Sequence, residues 1–234
     1  MTTPSKESSW KLFDALSERY DRINSILSFG LDRGWRRKTA SYLPMKRRLH
    51  LLDIASGTGA QLIACFENNG AIRSGVGIDL SNEMLQVAAS RIEGKPYRDR
   101  IQFRRADAQS LPFPAYSFDA ATCSFGIRNV LDPLAALKEI ERVLKPGGRC
   151  LILEFSLPPK PLKGPYLFYL RRLLPRIGAL LSKHKNAYRY LNETIESFPY
   201  GDRFASLLKE ADFHAVRIIP MALGAVTLYL GDKR

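Results

Sequence analysis

Cysteine is scarce in this chain: Cys65, Cys123 and Cys150 are the only three among 234 residues. They are scattered, odd in number and form no C-x-x-C pair, which argues against a disulfide framework or a thiolate zinc site. A reducing compartment is the natural expectation. Long apolar runs are lacking too, since no stretch approaches the ~18 uncharged residues needed to cross a bilayer. The opening MTTPSKESSWKLF has neither the basic start nor the apolar run of an export signal. The expected location is therefore cytoplasmic, at most peripheral at the inner face of the cell membrane. Internal repeats and low-complexity tracts are absent as well.

Acid is missing from two long stretches. Arg33 to Leu52 holds seven Lys/Arg and Leu157 to Asn192 holds eight, with no Asp or Glu in either, in a chain of net charge +13. Such a field favours an anionic partner, whether nucleic acid, anionic lipid headgroups or a phosphorylated substrate. The plainer reading is a solvated basic face.

What is present is an ordinary globular composition, 45% apolar and 25% charged, long enough to bury one full core. A single domain over 1–234 is expected. It divides into an N-terminal helical cap (1–48), a core (49–156), a basic helical insertion (157–200) and a C-terminal helix with edge strands (201–234). Within the core, short apolar runs at 49–55, 75–81, 101–107, 118–125 and 149–155 read as strands. Helices are expected at 60–68, at 82–92 with Ser81 as N-cap, and at 132–144 with Asp132 as N-cap and Pro133 at the first position. Lys145-Pro146-Gly147-Gly148 should stop the last of these. Regular alternation of strand and helix implies a parallel sheet with helices on both faces. A proline-rich linker, helices at 166–197 and 204–213 and a final antiparallel pair of strands complete the reading.

The informative segment is Asp53-Ile54-Ala55-Ser56-Gly57-Thr58-Gly59-Ala60. In an open α/β sheet the loop after the first strand lies at the carboxyl edge, where ligands bind. A dinucleotide site needs G-x-G-x-x-G, but the third glycine position is Leu62, so a pyrophosphate cradle is incomplete. S-adenosylmethionine (SAM) has no phosphate, and Asp53 beside the loop suits its cationic amine. Asp79, ending the second strand twenty residues after Gly59, can accept from ribose hydroxyls. Asp107 can accept from an adenine amino group while the Ala108 N–H donates to a ring nitrogen; alternatively Asp107 caps a helix. From these residues alone the expected cofactor contacts are Asp53, Gly57, Gly59, Asp79, Asp107 and Ala108, with no metal.

Several segments together carry a resemblance. They are Tyr20-Asp21, Leu27-Ser28-Phe29-Gly30, Trp35-Arg36-Arg37, Asp53 through Gly59, Asp79-Leu80-Ser81, Leu111-Pro112-Phe113-Pro114, Ser124-Phe125-Gly126-Ile127-Arg128-Asn129-Val130 and Ser197-Phe198-Pro199. The chain resembles, over essentially its whole length, the ubiquinone/menaquinone biosynthesis C-methyltransferases. The resemblance implies the class I SAM-dependent methyltransferase (Rossmann-like) fold, a mostly parallel seven-stranded sheet with one antiparallel edge strand. It implies methylation of a ring carbon of a polyprenylated hydroquinone, with Thr58, Asp79, Asp107, Ala108 and Ser124 as cofactor contacts carried over by position. Two departures stand out: Ala60 where an acid is usual, and Leu228-Tyr229-Leu230 where a histidine is common.

Methyl transfer to a quinol ring is favoured when a ring hydroxyl ionises, and a phenol has a pKa near ~10. A cation or base near the hydroxyls is therefore expected. Arg128 is the candidate phenolate stabiliser, with a structural salt bridge as the plain alternative. Asn129 could orient a hydroxyl. Tyr20 and Asp21 could close over the cofactor, Asp21 being a second base candidate, or simply pack and cap a helix. His184 is a weaker candidate base, and His50 and His214 read as structural. In the basic insertion, Leu167, Leu170, Leu174, Ile177 and Leu181 form one apolar helical stripe, with Arg171, Arg172 and Arg176 off it and breaks at Pro175 and Gly178. Such a helix either packs on the domain or lies at an anionic membrane surface. Rival readings are a nucleic-acid methyltransferase and a silent SAM-binding scaffold. The first is disfavoured because no Asn/Asp-Pro-Pro-aromatic motif follows the fourth strand, and the second because Arg128-Asn129 is intact. The expected partners are a prenylated hydroquinone and transient anionic membrane, with no nucleic acid; a homodimer is left open.

Overall fold

The computed structural model describes residues 25, 28–174, 176 and 185–234. Tyr20, Asp21, Pro175, Ile177, Gly178, Leu181 and His184 lie outside the described residues. Seven strands form one sheet in the order β3-β2-β1-β4-β5-β7-β6. They are β1 (Leu49–Ile54), β2 (Ile72–Asp79), β3 (Ile101–Arg105), β4 (Phe118–Ser124), β5 (Leu144–Phe155), β6 (His214–Met221) and β7 (Val226–Asp232). Strands β1 to β5 pair in parallel, and β7 runs antiparallel between β5 and β6. The expected sheet, with its reversed strand in the edge pair, is what forms.

Period-two burial makes two apolar faces. Leu49 and Leu51 of β1, with Leu151 and Leu153 of β5, enter one core beside α1 (Leu31–Ala40) and α2 (Ala60–Asn68). Leu52, Ile54, Cys150 and Ile152 enter the other, under α4 (Pro133–Val143) and α7 (Asp202–Glu210). The cap readings hold for α3 (Asn82–Ile92), where the Ser81 hydroxyl accepts from the Met84 N–H, and for α4, where Asp132 accepts from Leu134 and Ala135. All three cysteines are buried and unpaired. Burial pushes the Cys65 thiol up to about 12, so it is inert at neutral pH.

Several element ends shift by two or three residues (β2 runs Ile72–Asp79 against the expected 75–81), and the largest difference is at the start of β5. Lys145-Pro146-Gly147-Gly148 does not sit outside the sheet: β5 begins at Leu144, opposite Phe118, and a register shift then carries the chain to Arg149 opposite Ala120. Gly147 at φ 71 supplies the bulge conformation, and its N–H donates to the Lys233 carbonyl at 2.9 Å. The breaker residues interrupt the ladder without ending the strand.

In the insertion, α5 (Lys163–Phe168) continues through a π-helical turn at Tyr169–Leu173, and α6 (Lys185–Ser197) follows. Leu170 and Leu174 are buried against Ile195, Phe155 and Leu157. Arg171, Arg172 and Arg176 are exposed. The stripe thus packs on the domain while its basic side faces solvent.

Candidate active site

The carboxyl ends of β1, β2, β3 and β4 open into one cavity of about 310 Å³, a size at the small end of ligand sites (roughly 300–1,000 Å³). Its wall includes Gly57, Thr58, Asp79, Asp107, Ala108, Ser124 and Asn129. Seven of the twelve residues singled out by sequence therefore meet there. Asp53, Gly59 and Arg128 do not reach the wall, and Tyr20 and Asp21 lie outside the described residues.

The loop after β1 is shaped by positive φ at Ala55 (49), Gly57 (55) and Gly59 (75). A Cβ on Gly57 would meet no neighbour within 4 Å, so a side chain there would fill cavity space. Asp79 fixes the loop from the next strand. One carboxylate oxygen accepts from the Gly57 N–H at 2.8 Å, and the other from the Ser81 N–H at 3.0 Å. Thr58 is held by Arg91, whose guanidinium donates to the Thr58 hydroxyl at 3.0 Å and carbonyl at 2.9 Å. Asp107 stabilises its own turn by accepting from the Gln109 N–H at 2.9 Å and from the Gln109 amide. Its expected capping role is thus met by a turn, and the residue still lines the cavity.

Asp53 corrects an expectation. Its side chain is fully buried, and its two oxygens accept from the Ser56 and Thr122 hydroxyls, each at 2.6 Å. It ties the loop to β4 from beneath instead of offering a free carboxylate to a ligand amine. Burial pushes its carboxyl up to about 6, against the hydroxyl bonds and the charge of Arg36. Gly59 likewise positions rather than contacts: a Cβ there would lie 3.2 Å from both Ala88 and Phe103. It lets α2 start close against α3 and β3.

Arg128 is in a different place from the one its proposed chemistry calls for. Its side chain is 3% exposed, and it donates to the Glu154 carboxylate at 2.7 Å and to the Phe125 carbonyl at 2.5 Å. The guanidinium also lies 5.3 Å from the Phe155 ring. Burial pushes Glu154 above its usual range, with Arg128 opposing that shift. The salt-bridge alternative describes this geometry. Asn129, on the following turn, does reach the wall, and its Oδ1 accepts from the Tyr190 hydroxyl of α6 at 3.3 Å.

Phe125 and Gly126 show why the segment after β4 needs its sequence. Phe125 has φ 60, and a Cβ on Gly126 would come within 2.5 Å of the Ala55 Cβ. Two loops therefore meet in van der Waals contact at the head of the cavity. Leu228 to Leu230, the second departure, are core residues of β7. Tyr229 is 1% exposed, and its hydroxyl accepts from the Gly201 N–H at 2.7 Å. Ala60, the first departure, does line the cavity.

Some wall residues were not anticipated as site residues. Leu80, Met84, Val130 and Leu131 supply apolar surface, and Arg36 and Gln109 supply polar groups. Gln61 sits behind the wall, accepting from the Ser124 hydroxyl at 2.8 Å and donating to the Arg36 carbonyl at 3.3 Å. Arg36 lies in the Trp35-Arg36-Arg37 stretch, but nothing local marks which arginine of a basic run turns inward.

The sheet order with a cavity across the ends of four parallel strands defines the class I SAM-dependent methyltransferase fold. The family model described as the ubiE/COQ5 methyltransferase family matches residues 1–233, and the chain belongs to that family. A ubiquinone/menaquinone biosynthesis C-methyltransferase UbiE of Syntrophotalea carbinolica is 44% identical over 225 residues, 95% of this chain and 92% of that protein. A demethylmenaquinone methyltransferase of Clavibacter sepedonicus is 41% identical over 223 residues, 95% of this chain and 89% of that protein. Among solved structures, a SAM-dependent methyltransferase of Thermotoga maritima superposes with TM-score 0.65 at 21% identity, covering 96% of this chain and 99% of that one. At that identity the likeness speaks for the fold.

Proposed function

We propose that this protein transfers the methyl group of SAM to a ring carbon of a polyprenylated hydroquinone, with demethylmenaquinol as acceptor and menaquinol as product. The single observation that carries the reading is the cavity wall. Strand-end carboxylates Asp79 and Asp107 stand beside the backbone of Gly57 and Ala108, and an apolar lip of Leu80, Val130 and Leu131 runs on to Asn129. Membership of the family supplies the acceptor class.

The residues present fit the cofactor. Asp79 is a pre-oriented double acceptor suited to a ribose diol, and Asp107 with the Ala108 N–H forms an acceptor–donor pair suited to an adenine edge. Ile78, Met84 and Ala106 give the base an apolar seat. When bound, SAM supplies a methyl group already activated on a positively charged sulfur. What is left to the protein is to orient the acceptor, exclude water and favour an ionised hydroxyl.

Asn129 is suited to orientation. Tyr190 fixes its amide oxygen, and its Nδ2 makes no bond among the described residues and can donate to a ring hydroxyl. Arg128 we place behind it as a positioning residue. Paired with Glu154, it holds the Phe125 carbonyl and hence the turn that presents Asn129. Tyr20 and Asp21 are proposed to close over the site from the N-terminal segment.

The acceptor's prenyl chain resides in a bilayer, and the surface near the insertion suits a membrane. Phe29 (79% exposed), Phe168 (60%) and Leu223 (77%) are large apolar side chains facing solvent. The Phe29 and Tyr169 rings lie 6.4 Å apart, which brings the segment just before the first acid-free run against the second run. Among the described residues no helix is long and apolar enough to cross a membrane. Transient peripheral contact with anionic lipid is the proposed mode.

The reading is tested by incubating the protein with SAM and a short-chain demethylmenaquinol under reducing conditions. A quinol heavier by one methylene is expected. SAM binding with no such product, from either naphthoquinol or benzoquinol precursors, would overturn it.

A further inference from the structure

We propose that Arg36 binds the carboxylate at the amino-acid end of the cofactor; the assignment rests on the SAM reading of the cavity. Arg36 reaches the site from α1, outside the strand-end motifs, and lines the wall with Ser56, Ser124 and Phe125. Its guanidinium makes no hydrogen bond or ion pair among the described residues, and its Nε is buried without a partner. The inward-facing arginines elsewhere are engaged: Arg91 by Thr58, Arg142 by Glu139, Arg149 by Asp232 and Arg128 by Glu154. The Arg128 Nε is also buried without a partner, but its Nη1 is bonded to Glu154 and Phe125, whereas no atom of the Arg36 guanidinium is bonded among the described residues. A buried donor left without an acceptor destabilises the free protein, which is the signature of a group kept for a ligand.

Its position is set and not incidental. The guanidinium lies 5.4 Å from the centre of the Phe125 ring, while the Arg36 carbonyl accepts from Gln61, which also accepts from Ser124. The stem and the backbone are therefore fixed from two sides, and the fork is held at the cavity.

The order of groups along the sheet edge identifies the ligand chemistry. Asp107 follows β3, Asp79 ends β2, Gly57 and Thr58 follow β1, and Ser124 and Phe125 stand at the end of β4 under Arg36. Three strand spacings separate the first from the last, roughly 14 Å. An elongated ligand in this cavity meets acceptors at one end and a guanidinium at the other. Its polar end at β2 and β3 must donate, and its far end must carry an anion. A nucleoside joined to an α-amino acid has that polarity. A guanidinium also matches a carboxylate with two parallel N–H donors.

The test compares SAM with decarboxylated SAM, which lacks only the carboxylate, by isothermal titration calorimetry above pH 7. The wild type should bind SAM on the order of tenfold to a hundredfold more tightly than the decarboxylated compound. Arg36→Met should erase that preference by weakening SAM alone, with decarboxylated SAM bound as before. Arg36→Lys should restore part of the preference, because it keeps a point charge but not the fork. A wild type that binds both compounds equally, or an Arg36→Met variant that loses affinity for both in proportion, would overturn the assignment while leaving the SAM site intact. A wild type that binds neither would overturn the SAM reading itself.

Discussion

Arg128 donates to Glu154 across 2.7 Å, and the two side chains are 3% and 1% exposed. No other ion pair among the described residues is as buried. It joins the turn after β4 to the last residues of β5, under the insertion. Because both charges are out of water, removing one strands the other. Arg128→Ala and Glu154→Ala should each destabilise the fold by about 3–5 kcal/mol, and the apolar double variant Arg128→Met/Glu154→Leu should recover much of that loss. Urea unfolding measures all three. An Arg128→Ala protein with full stability and no turnover would return Arg128 to a direct catalytic role.

The buried carboxyl of Asp53 gives a pH dependence of defined sign. Its folded-state pKa is raised to about 6, above an unfolded value near ~4. The folded state therefore prefers the protonated form. Its contribution to stability is full below pH ~4 and is lost as pH rises through about 6. Asp53→Asn removes the ionisation, and either flanking hydroxyl can turn to accept from the new amide. Between pH ~4 and ~7 the stability difference should move in favour of the variant by on the order of 3 kcal/mol. Paired denaturant titrations across that range check it, and a flat difference would show that Asp53 is not buried as a lone acid.

Asp79 and Asp107 are expected to act on the nucleoside, whatever the amino-acid end does. Asp79→Ala removes the acceptor that holds the Gly57 and Ser81 N–H groups, so both loop order and ribose binding should suffer. SAM and decarboxylated SAM should weaken together, on the order of a hundredfold. Asp107→Ala should weaken both by less, since the bonds of its carboxylate are confined to Gln109. Calorimetry that found a selective loss of SAM alone would contradict the placement of these acids.

Membrane contact should depend on both charge and exposed rings. Binding to phosphatidylglycerol vesicles should exceed binding to phosphatidylcholine vesicles and fall with added salt. Phe168→Ser with Arg172→Ser should weaken vesicle binding, while turnover of a water-soluble short-chain quinol stays unchanged. Arg171 is a poorer choice, because it is paired with Glu196 at 2.5 Å. Co-sedimentation reads the outcome, and equal binding to both lipids would argue against the surface.

These predictions draw unevenly on the sequence. Strand-end acids and glycine turns were legible because period-two patterning and turn chemistry are local. So were the caps at Ser81 and Asp132, where one side chain satisfies a nearby backbone N–H. The start of β5 was not, because Pro-Gly-Gly signals a stop whether it ends a strand or bulges it. Asp53 carried the right residue type for a ligand contact, yet its direction depends on Thr122, sixty-nine positions away. Arg36 and the partner of Arg128 are long-range facts of the same kind: the fold, and no spacing rule, decides which charge meets which.

The central claim is transfer to carbon of a quinol ring. Supplying SAM carrying a ¹³C methyl group together with demethylmenaquinol, under reducing conditions, and recording the ¹³C spectrum of the product tests it most directly. The account predicts a single enriched resonance in the range of a methyl group on an aromatic carbon, its appearance dependent on Asn129. An enriched methoxy signal, or label found only in unreacted cofactor, would contradict it.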